Sequence, residues 1–420
     1  MKGLPGFRDF YPEPIPTTDS WSLDLRQYIF ETWRRTAERY GFREYDGPPI
    51  EELELYTQKS GEEIVGQLYN FEDKGDRKVS LRPEMTPTLA RMAASHTRNY
   101  KKPIKWFSIP QLFRYERQQK GRLREHFQLN ADIIGEEDVS ADAELISLLI
   151  DTLRNLKLTE EDFFIRLSSR QAWQDFFEKN GGKENDAYDF YQVIDKLERT
   201  DQKASNEKLN KIGFSYEQVN EFISQGQPTE ELSSIIENIE ARGLGNFIKI
   251  DYRIIRGLAY YTGPVYEAFD KSGKFRAIAG GGRYDHLVKL ISKGKTNLPA
   301  LGFGMGDVVL TELLKDRNLI PKIQHIISAY VQITDETMRY TSLGLIQRLR
   351  QAGIATEYPL INTKPEKQFK RAVELSAKWI IAIESDNKVT IKNLRTREEQ
   401  VCLVEDVTDF LELNLSLIHI

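Results

Sequence analysis

Two apolar segments flanking a strongly basic loop constrain this chain more than any other feature. Residues 103–115 (PIKWFSIPQLFRY) and 126–134 (HFQLNADII) read as strands, and the charged stretch ERQQKGRLRE joins them. The pattern predicts an antiparallel hairpin with a basic tip. From Arg114 to Arg124 it carries five cations in eleven residues. A charge run alone describes a solvated loop. Arg114, however, lies inside the apolar run Gln111-Leu112-Phe113-Arg114-Tyr115, where a free cation is costly. Guanidinium groups fixed on strands grip phosphate oxygens bidentately, so the hairpin is a candidate anion site.

Pattern changes organise the rest. Asp19-Ser20 reads as the cap of a helix running to about Tyr40, with Trp21, Leu25, Tyr28, Ile29 and Trp33 at three- and four-residue steps and Gly41 as its stop. Pro48 and Pro49 then make a corner. Residues 78–82 and 163–168 read as strands, and Ala141–Leu156 as a helix. From 170 to 245 the chain turns polar, helical and rich in Lys and Glu, which predicts a surface-mounted lobe. Strand character returns at 248–254 and meets two glycine clusters, Gly280-Gly281-Gly282 and Gly302-Phe303-Gly304-Met305-Gly306. Beyond Pro321, strands and helices alternate and end in a hairpin at KVTIKNLR, as in a small α/β domain. The expected division is a core at 1–169 and 246–320, a helical insertion at 170–245 and an α/β domain at 321–420.

Composition sets outer bounds. In 420 residues, 59 Lys and Arg against 64 Asp and Glu give 59 − 64 = −5, which excludes a histone-like polycation and asks any polyanionic partner to use a local basic patch. One cysteine, Cys402, allows no intrachain disulfide, and five scattered histidines offer no metal-ligand spacing. No apolar run approaches the ~18 residues of a membrane span, and the N-terminus lacks the apolar segment of a signal peptide. The expectation is a cytoplasmic protein with no membrane partner and no protein-held metal.

Small-ligand chemistry gathers beside the hairpin. Leu81-Arg82-Pro83-Glu84-Met85-Thr86 ends a strand with charged residues, and Gln128 and Asp132, four apart on a strand, share one face. Two carboxylates and an amide converging there suit a ligand with an ammonium group and a polar ring. The glycine clusters permit close backbone approach but lack the G-x-G-x-x-G spacing in a strand-to-helix turn, so a dinucleotide fold is not indicated. Tyr252, Tyr260, Tyr261, Tyr266 and Tyr284 crowd around Arg256 and these glycines.

Taken in order, these segments resemble the histidyl-tRNA synthetases, a class II aminoacyl-tRNA synthetase family, over essentially the whole chain. Phe42 to Pro49 looks like the class dimer motif, and Phe113-Arg114-Tyr115-Glu116-Arg117 with its loop like the second class motif. Arg256-Gly257-Leu258 with Tyr260-Tyr261-Thr262-Gly263, then Ala279-Gly280-Gly281-Gly282-Arg283-Tyr284-Asp285, are similar to the two motifs peculiar to this family. The resemblance implies an α+β core built on an antiparallel sheet flanked by helices, a C-terminal α/β anticodon-binding domain and a homodimer. It implies ligation of histidine to tRNA(His) through a histidyl-adenylate, with ATP and Mg2+. Glu84 would hold the α-ammonium with Thr86 nearby, and Gln128, Asp132, Tyr260 and Tyr261 would frame the amino acid. Arg114 would clamp the ATP α-phosphate and Arg256 would stabilise charge during attack. Glu116, Arg122 and Arg283 would serve the nucleotide, and Gln119, Lys120, Lys367 and Lys370 the tRNA, the last two on a basic helix opening at Lys364.

Three positions depart from the family pattern. Ala259 stands where the family carries Asp, and Asp132 where it carries Glu. Val309 occupies the place of the arginine that ends the third class motif. Arg283, Arg122 or a metal bound through Asp307 would have to replace that cation, or adenylation is impaired. The rival is a catalytically silent histidine sensor like the regulatory subunit of ATP phosphoribosyltransferase. The intact basic hairpin, Arg256 and the C-terminal domain speak against it.

Overall fold

The computed structural model describes residues 3–12, 21–60, 66–115, 123–255, 260–323, 327–385 and 387–416. The chain divides into two compact units, Met1–Pro321 and Lys322–Ile420.

In the first unit, helix α1 spans Leu23–Arg39. Its cap is Ser22, whose Oγ accepts from the Leu25 amide at 3.2 Å, so the helix starts later than the Asp19-Ser20 pair suggests. Strand β1 (Arg43–Glu44), helix α2 (Thr86–His96) and strands β2 (Ile104–Ser108), β3 (Gln111–Phe113) and β4 (Glu125–Ile134) follow. Helix α3 (Ser140–Asn155) leads to β5 (Phe163–Ser169), β6 (Ile248–Ile250), β7 (Pro264–Asp270), β8 (Ala279–Arg283), β9 (Ala300–Gly306) and helix α4 (Asp307–Asp316). The strand expected at 248–254 is thus three residues long.

These strands form one sheet of order β6-β5-β7-β8-β9-β4-β2-β1, with β3 pairing the first part of β4. Interior neighbours are antiparallel, while the outermost pairs, β5 with β6 and β1 with β2, are parallel. Period-two alternation sorts the faces. Leu129, Ala131 and Ile133 of β4 join Leu301, Phe303 and Met305 of β9 in the core shared with α1 and α3. Gln128, Asn130 and Asp132 line a cavity on the open face.

Trp33 of α1 is fully buried within this core and stacks on Phe30, and Trp21 is half-buried under the Arg8 guanidinium. Neither therefore needs a second subunit to cover it.

Residues 170–241 hold five α-helices: Arg170–Lys179, Ala187–Asp195, Gln202–Lys211, Tyr216–Gln225 and Glu230–Ala241. Instead of sitting on the surface, they share the core of the sheet. Trp173 is the peg. Fully buried among Phe176, Phe190 and Phe222, it donates its Nε1 proton to the Tyr252 carbonyl at 3.0 Å. That carbonyl lies just past β6, so one hydrogen bond and an aromatic cluster tie the helices to the sheet.

The second unit runs β10 (Ala329–Gln332), α5 (Arg339–Gln351), β11 (Thr356–Glu357), α6 (Pro365–Glu374), β12 (Trp379–Ser385), β13 (Lys388–Asn393), β14 (Glu399–Leu403) and α7 (Val407–Ser416). Its sheet order is β11-β10-β12-β13-β14. The hairpin at KVTIKNLR is in fact the middle of a three-stranded meander, since β14 and α7 follow it. Helix α6 is locked by buried Gln368, which donates to the Ile333 and Thr363 carbonyls at 2.8 and 2.6 Å and accepts from the Ile333 amide at 2.9 Å. Lys367, Lys370 and Arg371 lie on the exposed side of that helix, beside half-exposed Phe369.

Candidate active site

A cavity on the open face of the large sheet gathers Glu84, Thr86, Arg114, Gln128, Asp132, Tyr260 and Tyr261. Glu116, Gln119, Lys120, Arg122 and Arg256, also expected in the site, lie outside the described residues. The cavity floor comes from strand register. Gly302, Gly304 and Gly306 of β9 pair with Asp132, Asn130 and Gln128 of β4, and Gly280 of β8 pairs with Gly304. The polar side chains of β4 lean across these glycines. A Cβ on Gly304 would stand 2.6 Å from Gln128 Cδ, and one on Gly302 would overlap the Asp132 carboxylate. Only glycine lets those side chains lie flat against the sheet.

Asp132 dominates the electrostatics. It is 2% exposed, and Oδ1 accepts a hydrogen bond from the Tyr284 hydroxyl. Oδ2 is buried with no hydrogen-bond partner among the described residues. Burial pushes this carboxyl up to about 7, with the Tyr284 hydroxyl pulling the other way. Burial and the neighbouring Asp132 charge hold Tyr284 in its donor form, well above the ordinary range. The pair thus offers one carboxylate oxygen to a donor brought by a ligand.

Glu84 stands at the other wall. Buried, it accepts from the Tyr260 hydroxyl at 3.2 Å, and Tyr260 packs edge-on against Tyr284 with ring centroids 5.8 Å apart. Thr86 opens α2 with Pro87 in its first turn, which fixes the corner that holds Glu84. Arg114 donates Nε to the Pro83 carbonyl at 3.0 Å, so the guanidinium and the Glu84 carboxylate are positioned by adjacent backbone. Two carboxylates with a guanidinium just past β3, set beside Glu84, can hold an ammonium-bearing ligand next to a phosphate.

Two expected substitutes for the missing cation at Val309 are engaged elsewhere. Arg283 does not line the cavity. Its guanidinium is 6% exposed, pairs with Asp142 at 2.7 Å, and donates to the carbonyls of Glu136 and Asp138 at 3.0 and 2.8 Å. It pins the start of α3 and is withdrawn as a nucleotide ligand. Asp307 is no better placed for a metal. Its Oδ2 accepts from Arg8 at 2.8 Å and its Oδ1 from the Phe127 amide at 2.9 Å. Among the described residues, no group of three His, Cys, Asp or Glu could hold an ion.

Arg8 was not foreseen. It bridges Glu125 at 2.6 Å and Asp307, all three side chains being under 5% exposed. The Gly6 carbonyl accepts from the Arg124 amide at 3.0 Å, so the N-terminal segment straps the start of β4 to the start of α4. Its only sequence signal was one arginine among aromatics. Asn130, Tyr284, Arg276, Arg199 and Asp195 also line the cavity and were not selected from sequence, although Tyr284 had been noted in the aromatic crowd.

Comparison with known proteins follows the same lines. A histidyl-tRNA synthetase family model matches residues 22–306, and an anticodon binding domain model matches 325–413. A histidine–tRNA ligase of Opitutus terrae is 41% identical, with 95% of each chain covered. One from Thermoplasma volcanium is 36% identical over 99% of each. The chloroplastic/mitochondrial histidine–tRNA ligase of Arabidopsis thaliana is 35% identical over 94% of this chain and 83% of its own. Among solved structures, apo histidyl-tRNA synthetase from S. aureus matches with a TM-score of 0.73 at 24% identity, covering 98% of this chain and all of that one. A Bacillus halodurans structure titled an ATP phosphoribosyltransferase regulatory subunit/histidyl-tRNA synthetase gives 0.71 at 21%, covering 91% and 97%. At those identities the structural likeness speaks to the fold alone.

The raised Asp132 carboxyl makes stability depend on pH. Folded Asp132 titrates near 7, against an ordinary 3.8. Between those values the folded protein binds more protons than the unfolded chain, so this group's contribution falls as pH rises from about 4 to about 7 and is level above. Asp132→Asn keeps the acceptor for Tyr284 and removes the titration. The melting temperature of the variant relative to wild type should therefore climb steadily across that window, by an amount equivalent to at most about 4 kcal/mol. A difference independent of pH would show that Asp132 titrates normally.

Proposed function

The chain belongs to the histidyl-tRNA synthetase family, and on that premise we propose that it ligates histidine to tRNA(His), using ATP and passing through a histidyl-adenylate. The supporting observation is the buried, unpartnered Oδ2 of Asp132 in a cavity that also holds Glu84, Gln128 and Arg114. The imidazole would donate a ring N–H to Asp132, with Gln128 alongside over the glycine floor. Glu84, Thr86 and the tyrosine pair Tyr260 and Tyr261 would take the α-ammonium end. That orientation leaves the carboxylate toward Arg114, which would grip the α-phosphate. Arg256 would stabilise charge on the phosphorus during attack, with Glu116 and Arg122 serving the nucleotide. Magnesium would arrive on the phosphates of ATP and supply charge neutralisation there.

We assign tRNA contacts to Gln119 and Lys120 in the core and to Lys367 and Lys370 on the exposed side of α6. No described helix is long and apolar enough to cross a membrane, and the expected location is the cytoplasm. A homodimer is assigned on family resemblance. Sedimentation at micromolar concentration should give about twice the chain mass, and a 48.7 kDa species would contradict it.

Purified protein should catalyse histidine-dependent exchange of pyrophosphate into ATP, and Gln128→Ala should raise the KM for histidine by roughly 10- to 100-fold, the worth of a buried hydrogen bond to a polar ligand, while leaving the KM for ATP little changed. Histidine binding without exchange would favour the silent sensor, the reading that Val309 invites. Removing residues 322–420 should leave exchange largely intact and abolish aminoacylation. Equal loss of both, in a truncation that keeps its fold, would count against a tRNA role for the second unit.

A further inference from the structure

Arg276 precedes β8 and lines the cavity at its edge, as do Val308 and Val309 at the start of α4. The antiparallel register pairs Ala279 with Met305. β8 begins at Ala279 and β9 ends at Gly306, so the segment carrying Arg276 enters and α4 leaves at the same end of the strand pair. Position 309 carries no charge, and Arg283 and Asp307 are held in ion pairs away from the cavity.

Adenylation concentrates charge at this end. As a histidine carboxylate oxygen bonds the α-phosphorus, the bond from that phosphorus to the bridging oxygen breaks, and its electron pair leaves on pyrophosphate. A cation that meets the departing group acts more strongly on the transition state than on bound ATP. Arg114, fixed by the Pro83 carbonyl, is committed to the α-phosphate side. Among the described residues the other cavity-lining guanidiniums are Arg276 and Arg199. Arg199 comes from a turn, Leu197–Arg199, of the helical insertion. Of the two, Arg276 alone adjoins the end of the strand pair at which α4, the helix that carries position 309, begins. Glu267 and Asp195 also line the cavity and set the local balance against which a phosphate chain must compete.

We propose that Arg276 binds the β- and γ-phosphates of ATP and stabilises the departing pyrophosphate, taking the part that the buried valine at 309 cannot. This rests on the synthetase reading above. Arg276 is exposed and outside any strand or helix, so its replacement should leave the fold intact.

The test is pyrophosphate exchange and ATP titration with wild type, Arg276→Ala, Arg199→Ala and the double variant Arg276→Ala, Val309→Arg. Arg276→Ala should lose ~10²-fold in kcat/KM for ATP, keep its histidine affinity by calorimetry within about twofold, and melt with wild type. Adding Val309→Arg should return at least about tenfold of that loss, while Arg199→Ala should stay within about fivefold of wild type. The assignment is overturned if Arg276→Ala retains wild-type kinetics with ATP, if histidine affinity falls in parallel, or if Arg199→Ala carries the loss instead. Wild type that binds histidine yet shows no exchange would overturn the synthetase reading itself, a result separate from any of these.

Discussion

One register between two strands shapes the cavity on the open face of the large sheet. Gly302, Gly304 and Gly306 stand opposite Asp132, Asn130 and Gln128, so each polar side chain of β4 has a bare backbone beside it. A slip of one residue would turn Leu129, Ala131 and Ile133 to the open face and bury the carboxylate in the hydrocarbon core. The register is enforced from both sides. Leucines, isoleucines and phenylalanines on the helix-covered face resist a shift, and beyond the strand end Arg8 clamps Glu125 to Asp307. Two buried carboxylates sharing one buried guanidinium is an arrangement that breaking would make expensive, since each carboxylate would then lie uncompensated.

The cavity carries both signs of charge. Glu84 and Asp132 are linked through the Tyr260 and Tyr284 hydroxyls and rings, and Arg114 and Arg276 bring positive charge to the same lining. On the proposed reading, a substrate positive at its amino group and negative at its phosphates would be oriented by these groups before any chemistry occurs. Orientation of this kind supplies much of what a ligase needs in order to join two bound molecules.

Local chemistry was readable in the sequence and distant pairing was not. The hairpin could be read because strand pattern and basic tip are contiguous, and the break near Pro321 because strand and helix begin to alternate there. Gln128 and Asp132 could be placed on one face because their spacing is a multiple of two. Arg283 was misread because its partner Asp142 lies 141 residues away, and a conspicuous arginine beside three glycines looks like a ligand until that carboxylate is found. Asp307 misled in the same way, with Arg8 299 residues distant. The helices of 170–241 looked like a surface lobe because their exposed sides are so polar. Their burial depends on Trp173 reaching Tyr252, 79 residues on, which no window of sequence contains.

The glycine floor also limits how the binding site could be remodelled. A pocket is usually enlarged by trimming the side chains beneath the ligand, but under Asp132 and Gln128 there are none to trim. Backbone is already the bottom. An attempt to recode the enzyme for a bulkier heteroaromatic amino acid would have to take its room from the walls, at Gln128, Asn130 or the tyrosines.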